Sequence, residues 1–548
     1  MPVSTVRQRL ESLFPRLEDV PASADFAPAG GEYADGTLYL VDGEVRRWSG
    51  ATADVSSPVC VQRDGQLERR RLGPHASLTR EAALEALAAA VRAWDDGRGR
   101  WPTMSVGARI DAVLAFLSAM ETVREESVRL LMWEIAKTRA DAEREFDRTV
   151  QYVRDTVESL KDMDRAAGRF SSSAGILAQI RRAPLGPVLC MGPFNYPLNE
   201  TFTTLVPALI MGNTVVAKLP RYGALCQAPL LRAFAEAFPP GVVNVVNGDG
   251  RTVAGPLVES GGVAALAFIG SSAVANVLKK QHPRPNRLRC ILGLDAKNPA
   301  LVLADADLDL AVRECVAGAL SFNGQRCTAI KLVYVQRPVA DRFLQKLADA
   351  VDALPFGLPW EPGVKLTPLP EENKPQALQE LVDEAVAGGA QVVNANGGLV
   401  NRTFYFPSVV YPVSRTMRLH SVEQFGPVVP VQPFDDVREV VDEIVASEFG
   451  QQASVFGRDT AAIGPLLDVL ANQVCRVNLN AQCQRGPDVY PFTGRKDSAE
   501  ATLSVSDALR CFSIRSMVAA PSDEANRTLL HGILSGRTSN FVNTDYLF

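Results

Sequence analysis

The chain has only four histidines, His75, His282, His420 and His531, among 548 residues. That leaves little for a histidine-based triad or a histidine-rich metal site, and each reads as a surface or packing residue. None of the nine cysteines forms a Cys-x-x-Cys pair, which argues against a zinc ribbon, and no metal is expected. An odd number of cysteines in a large chain points to free thiols in a reducing compartment. A basic excess is also missing: 57 Lys and Arg face 62 Asp and Glu, a net charge of −5. No nucleic-acid partner is therefore expected. No uninterrupted apolar run reaches the ~18 residues that suggest a membrane span. The most apolar stretch, 187–217, is broken by Pro193, Asn195, Pro197, Asn199, Glu200 and Asn213. The start, MPVSTVRQRLESLFPRLEDV, lacks the apolar centre of a secretory signal. The expectation is a cytoplasmic protein with small-molecule partners and no membrane partner.

Apolar residues at 47% and charged residues at 22% are an ordinary globular composition, which excludes disordered, collagen-like and coiled-coil chains. The length suggests about three or four domains, or fewer large ones. Segments 36–48 and 57–72 alternate apolar and polar residues around Asp-Gly turns and predict hairpins. From Leu78 to about Ala166 the period becomes helical, with helices predicted over 80–94, 108–137 and 141–160. From Pro187 apolar strands alternate with helices: 187–192 with 199–212, 214–219 with 226–238, 242–247 with a short helix, and 265–270 with 271–281. Such strands predict a parallel sheet covered by helices, with nucleotide bound at its carboxyl ends. A second αβ series begins near Arg289, with strand 300–303, a helix after the N-cap Asp307, strand 330–335 and helix 339–354.

Two loops carry chemistry. Asn323-Gly324-Gln325-Arg326-Cys327-Thr328 is polar and lies between a helix and a strand. A buried inert thiol is the ordinary alternative, and it suits Cys315 on the preceding helix. Cys327 has Arg326 beside it, and a neighbouring cation lowers a thiol pKa, so it is a candidate nucleophile. Gly192-Pro193-Phe194-Asn195-Tyr196-Pro197 joins a strand end to a helix start. It could be no more than a tight turn, but the Asn195 amide could also stabilise an oxyanion.

Taken together, the chain resembles the aldehyde dehydrogenase superfamily. GPFNYP (192–197), ALIMGNTVVAK (208–218), GVVNVVNGDG (241–250), FIGSS (268–272), AKNPALVLADADLDLAV (296–312), FNGQRC (322–327) and EQFGP (423–427) occur in the family's order. The resemblance implies an α/β fold with a Rossmann-type cofactor domain (1–167 and 187–291) and an α/β catalytic domain (292–490). It also implies a small β oligomerisation region (168–186 and 500–520) and leaves a C-terminal extension (521–548). The assembly expected is a homodimer or homotetramer. The implied nucleophile is Cys327, with Asn195 and the Cys327 N–H as the oxyanion hole. The implied cofactor residues are Pro193, Lys218, Gly248, Gly270, Ser271, Glu423 and Phe425. Arg221, three positions after Lys218, would attract a 2′-phosphate, so NADP is the expected cofactor. Within the superfamily the chain resembles the NADP-dependent non-phosphorylating glyceraldehyde-3-phosphate dehydrogenase group. That implies Arg148, Tyr196, Arg326 and Arg485 around a substrate phosphate, and oxidation of glyceraldehyde 3-phosphate to 3-phosphoglycerate through a Cys327 thioester.

One departure stands out. The family's general-base glutamate falls on Gly293 in Leu292-Gly293-Leu294-Asp295-Ala296-Lys297. Asp295 could substitute if the strand continues, since alternate residues share a face. Another carboxylate could reach in from elsewhere. Or coenzyme A could take the acyl group, as in coenzyme A-acylating members that lack this glutamate. A non-catalytic NADP-binding homologue is a further alternative, opposed by the intact Cys327 and Asn195. A milder departure is Ala275, where the family has glycine.

Overall fold

The computed structural model describes residues 3–24 and 35–545. The expected cofactor segment and C-terminal extension also include residues 1–2, 25–34 and 546–548, which lie outside the described part. Two Asp-Gly pairs set the amino-terminal hairpins. Asp42 and Gly43 join Leu38–Val41 to Glu44–Arg47, and Asp64 and Gly65 join Thr52–Arg63 to Gln66–Ala76. All four have positive φ, the turn geometry whose twist matches that of the flanking strands.

Helix Arg80–Trp94 follows. The helix expected over 108–137 is instead two, Val106–Thr122 and Arg124–Ile135, broken at Val123. The break falls where burial changes character. The first helix buries a stripe, whereas the second buries nearly every residue from Ser127 to Ile135, and one straight helix would serve both patterns poorly. The third helix, Arg139–Ala167, starts at Thr138, whose hydroxyl accepts from the Asp141 N–H at 3.1 Å.

The first sheet has five parallel strands at its centre, in the order Val243–Val246, Thr214–Lys218, Pro187–Met191, Ala265–Ile269, Arg289–Gly293. The chain runs outward from Pro187–Met191 in one direction and then restarts in the other. The strand order thus reverses beside this strand, and that is where a crevice opens at the carboxyl ends. The second sheet orders Ser408–Tyr411, Val428–Phe434, Ile330–Gln336, Asn298–Val302, Gln452–Phe456 and Arg476–Leu479, all parallel. Separate apolar clusters lie on the two faces of each sheet, which is why these strands are apolar throughout. The chain passes from one sheet to the other through residues 294–297, which belong to no strand. The carboxyl end of Arg289–Gly293 therefore lies close to the amino end of Asn298–Val302.

Strands Phe170–Ser173, Ile176–Pro184 and Ser513–Pro521 form a small antiparallel sheet. Ile514 and Met517 stand exposed on it, at 50% and 60%. The last helix, Glu524–Gly536, is followed by a segment that folds back. There the Asn543 carbonyl accepts from Gln179 Nε2 and Arg181 Nη1, and Asn540 Nδ2 donates to the Thr103 carbonyl. Among the described residues no helix is long and apolar enough to cross a membrane.

Glu134 is a fully buried carboxylate that accepts from the Ala224 and Leu225 N–H groups at 2.9 and 2.8 Å. Burial raises its pKa to about 7 despite those donors. Glu134→Ala leaves two donors unmatched in a dry core and should cost about 2–5 kcal/mol. The check is the thermal midpoint, which should fall well below that of an exposed control such as Glu121→Ala.

Candidate active site

The carboxyl ends of the first sheet and the amino ends of the second enclose a cavity of about 1020 Å³. Cys327, Asn195, Glu200, Gly293, Arg148 and Arg485 line it around the thiol. Gly270, Ser271, Asp295, Glu423 and Phe425 line it as well.

The Cys327 loop has an unusual backbone. Phe322, Asn323 and Gly324 are successively left-handed, with φ of 49°, 55° and 70°. A Cβ on Gly324 would lie 2.6 Å from the Ala319 carbonyl and 2.7 Å from that of Gly426, so only glycine fits. Asn323 pins the turn by donating to Thr367 Oγ1 and accepting from the Thr367 N–H. Asn298 Nδ2 donates to the Cys327 and Ala329 carbonyls at 2.8 and 3.0 Å. Backbone held in such regions needs this external support.

The opposite loop follows Pro187–Met191. A Cβ on Gly192 would collide with Thr201 Oγ1, so the chain can turn here only at a glycine. Lys137 and Glu145, both buried, form an ion pair. Lys137 Nζ also donates to the Asn195 carbonyl at 2.9 Å, and Glu145 Oε1 accepts from the Leu198 and Asn199 N–H groups. Asn195 Nδ2 thereby reaches the Gln325 carbonyl at 2.8 Å, two residues before Cys327. The Cys327 N–H makes no hydrogen bond among the described residues. Asn195 Nδ2 is thus brought against the thiol's loop, in the cavity that Cys327 lines.

The phosphate-type residues are placed unequally. Arg148 donates through Nε and Nη2 to both oxygens of Asp488, each at 2.7 Å. Arg485 is buried between Glu200 and Asp488, donates to the Leu503 carbonyl, and lies over the Phe492 ring. Tyr196 lines the cavity, its ring 3.5 Å from Lys137 Nζ. Arg326 also lines it, but its Nη2 turns back to the Ala317 and Gly318 carbonyls. It caps the helix Leu308–Leu320, whose last carbonyls lack partners. Sequence adjacency to Cys327 is therefore misleading, and the expectation that Arg326 lowers the thiol pKa is corrected. Burial, joined by the Glu200 charge, pushes the thiol up to about 11, and Lys331 and Arg485 offset this only in part.

Asp295 departs from its expected place too. The strand ends at Gly293, so the alternation argument does not reach Asp295. Its carboxylate instead accepts from the Ser272 N–H and hydroxyl, both at 2.8 Å, at the start of helix Ser272–Gln281. The Ser271 hydroxyl accepts from the Val274 N–H.

Lys218, Arg221 and Gly248 lie outside the cavity's lining. Lys218 ends strand Thr214–Lys218 and is 8% exposed. Its ammonium has no hydrogen-bond partner among the described residues, and burial lowers its pKa to about 8. Arg221 is exposed beside the Tyr222 ring, and Gly248, at φ 130°, follows strand Val243–Val246. Pro193 begins the loop at the cavity's edge.

Several site residues escaped the sequence reading. Lys331 ion-pairs with Glu423, donates to the Arg326 carbonyl and sits 4.8 Å from the Phe425 ring centre. Lys297 is buried and donates to the Leu419 and Val422 carbonyls and to Gln424 Oε1, which fixes the loop carrying Glu423. The Ala296-Lys297-Asn298 run could have signalled Lys297 and Asn298, since consecutive polar residues opening an apolar strand need partners. Glu200 and Asp488 carried no local signal.

A thiol held near 11 predicts a steep alkylation profile. The rate of Cys327 modification by iodoacetamide, read by peptide mass spectrometry, should rise about tenfold per pH unit from 7 to 9. A plateau in that range would show that the thiolate is already stabilised.

Comparison with known proteins agrees with this geometry. The sequence model of the aldehyde dehydrogenase family matches residues 67–518. The chain is 34% identical over 416 residues to the NADP-dependent glyceraldehyde-3-phosphate dehydrogenase of Streptococcus equinus, covering 74% of this chain and 84% of that one. The enzyme of the same name from Triticum aestivum is 31% identical over 86% of this chain and 92% of its own. The crystal structure of NADP-dependent glyceraldehyde-3-phosphate dehydrogenase from Bacillus halodurans C-125 complexed with NADP superposes with a TM-score of 0.81. It is 30% identical and covers 89% of this chain and 100% of that one. The chain belongs to the aldehyde dehydrogenase family.

Proposed function

We propose that this enzyme oxidises glyceraldehyde 3-phosphate to 3-phosphoglycerate with NADP, through a thioester on Cys327. The observation that carries the substrate is Arg148 and Arg485 in one cavity with Cys327 and Asn195. Relatives named for this substrate and cofactor support the reading.

The residues at the first sheet's edge fit NADP. Lys218 offers a buried ammonium without a hydrogen-bond partner among the described residues, suited to the adenosine ribose. Arg221 stands three residues on, exposed and able to take a 2′-phosphate. The start of helix Ser272–Gln281 suits a diphosphate, although Asp295 now holds the Ser272 N–H there. When bound, NADP supplies the hydride acceptor.

The chain's own residues do the rest. Cys327 Sγ, once deprotonated, adds to the aldehyde carbon. The resulting oxyanion would lie between Asn195 Nδ2, which spends one of its two hydrogens on Gln325, and the unpartnered Cys327 N–H. Arg148 retains Nη1 beyond its pair with Asp488 and can donate to the substrate phosphate together with Arg485. Loss of hydride leaves an acyl group on Sγ, and its cleavage restores the thiol. Covalent attachment thus splits one difficult step into two.

A second reading, acyl transfer to coenzyme A, is favoured by one observation: Gly293 has no side chain and Asp295 is turned to Ser272. The two separate on whether NADPH forms steadily without added coenzyme A or phosphate. Steady formation is expected, and it should vanish in Cys327→Ser. A single burst that continues only with coenzyme A would replace the first reading by the second. Arg148→Met should raise KM for glyceraldehyde 3-phosphate by about 10–100-fold, the loss of a charge-assisted contact, while changing KM for propionaldehyde by less than about threefold.

Cofactor binding gives a separate check. Arg221→Glu should weaken NADP at least ~10-fold more than NAD in a fluorescence titration. Asp295→Asn should tighten NADP severalfold by removing an anion from the diphosphate's end of the crevice. Slowed thioester cleavage in Asp295→Asn would instead mark Asp295 as the base.

A further inference from the structure

Five carboxylates line the cavity: Asp141, Glu200, Asp295, Glu371 and Glu423. Asp141 caps helix Arg139–Ala167 through Thr138 and ion-pairs with Arg144. Glu371 faces Lys374. Asp295 is turned to Ser272, and Glu423 is held by Lys331. Glu200 is different in three respects. It lies one helical turn beyond Tyr196, its N–H donating to the Tyr196 carbonyl at 3.1 Å. It lies in the first turn of helix Asn199–Ile210, five residues after Asn195. Its Oε2 accepts from Arg485 Nη1, while Oε1 has no protein partner among the described residues although the residue is only 6% exposed. And of the carboxylates it is the one whose charge bears most on the Cys327 thiol, in the cavity that Gly293 also lines. Arg485 donates from Nη2 to the Leu503 carbonyl, and Leu503 Cδ1 lies 3.3 Å from where a Cβ on Gly293 would stand.

We propose that Glu200, steered by Arg485, is the general base that hydrolyses the Cys327 thioester in place of a glutamate at position 293. The proposal rests on the thioester chemistry proposed above, and not on which aldehyde forms the thioester. Water adds its oxygen to the acyl carbon and gives a proton to Glu200 Oε1. The tetrahedral oxyanion collapses, the carbon–sulfur bond breaks, and the electron pair returns to Cys327 Sγ as thiolate. The proton on Glu200 passes to the thiolate or to solvent. No electrons change hands and no further reactant is needed. Arg485 holds the carboxylate in the wall and partly balances its charge, so Glu200 can stand near a thiol that must ionise.

The test uses p-nitrophenyl acetate at pH 8.5. This ester acylates a reactive thiol without cofactor or aldehyde, so the outcome is separable from the identity of the natural substrate. The wild type should release a burst of p-nitrophenolate of about one per subunit, then turn over steadily. Cys327→Ala should lose the burst. Glu200→Gln should keep the burst within about threefold in rate and lose at least about 100-fold in the steady phase, a typical contribution of a general base. Hydroxylamine, a nucleophile that needs no base, should restore turnover in that variant. Glu200→Asp keeps the charge beside Arg485 but withdraws the carboxylate, and should lose about 10-fold in the steady phase alone. Glu200→Gln combined with Gly293→Glu should recover at least a tenth of the lost rate. Unchanged steady turnover in Glu200→Gln or Glu200→Asp would overturn the proposal. So would loss of burst and steady phases together at an unchanged thermal midpoint, which would make Glu200 a structural partner of Arg485.

Discussion

A charge taken out of water must be matched inside the protein, and the loops around this cavity depend on such matches. Lys137 and Glu145 meet in the dry interior, and both use their remaining valences on the backbone of the Asn195 loop. Lys331 meets Glu423, and Lys297 is caged by carbonyls on the same side. Arg485 stands between Glu200 and Asp488, which in turn takes Arg148. Taking away one partner of such a pair costs about 3–5 kcal/mol, because the other charge stays buried. The loops themselves have little regular hydrogen bonding to hold them. Their positions follow from where the ions must sit, so the geometry of Asn195 relative to Cys327 is fixed by charges that touch neither reacting atom.

The same pairing sets the electrostatics of the thiol. Three cations near Cys327 are already paired: Lys331 with Glu423, Arg485 with Glu200, and Arg326 with helix carbonyls. What remains is burial and the nearby carboxylates, and both favour the neutral thiol. Together they hold the thiol above its ordinary value. Ionisation must be coupled to what enters the cavity, since any positive charge placed near the sulfur acts in a medium where it is weakly screened.

Much of this was legible in the residues. The Asp-Gly turns announced both amino-terminal hairpins, since few other pairs accept two positive φ values in a row. Uniformly apolar strands between helices announced a parallel sheet because only such a sheet buries both faces. Asp307 announced a helix start and accepts from the Leu310 N–H. What was not legible depends on contacts distant in sequence. The break at Val123 is set by what each half of the helix packs against, not by a proline or glycine. Arg326 could not be read as a helix cap, because its partners lie eight and nine residues back across a left-handed turn. Asp295 could not be read as a partner of Ser272, 23 residues earlier, because the end of the strand at Gly293 was hidden in an apolar run. Glu200 and Arg485 are 285 positions apart, and only the fold joins them.

That last pair shows what moving a carboxylate would do. A base at position 293 would extend from a strand end, where Leu503 Cδ1 lies 3.3 Å from the Cβ position and Ile269 is in ordinary contact with it. A base at Glu200 extends from the first turn of helix Asn199–Ile210 into the cavity that Cys327 and Asn195 line. It also carries its own counter-ion, so its charge weighs less on the thiol than a bare carboxylate would. The cost is that Arg485 must serve two anions, the carboxylate beside it and any phosphate on the substrate. A phosphate drawn to Arg485 competes with Glu200 for the same guanidinium. Substrate recognition and thioester cleavage would then share one guanidinium, so the two steps would be coupled through Arg485.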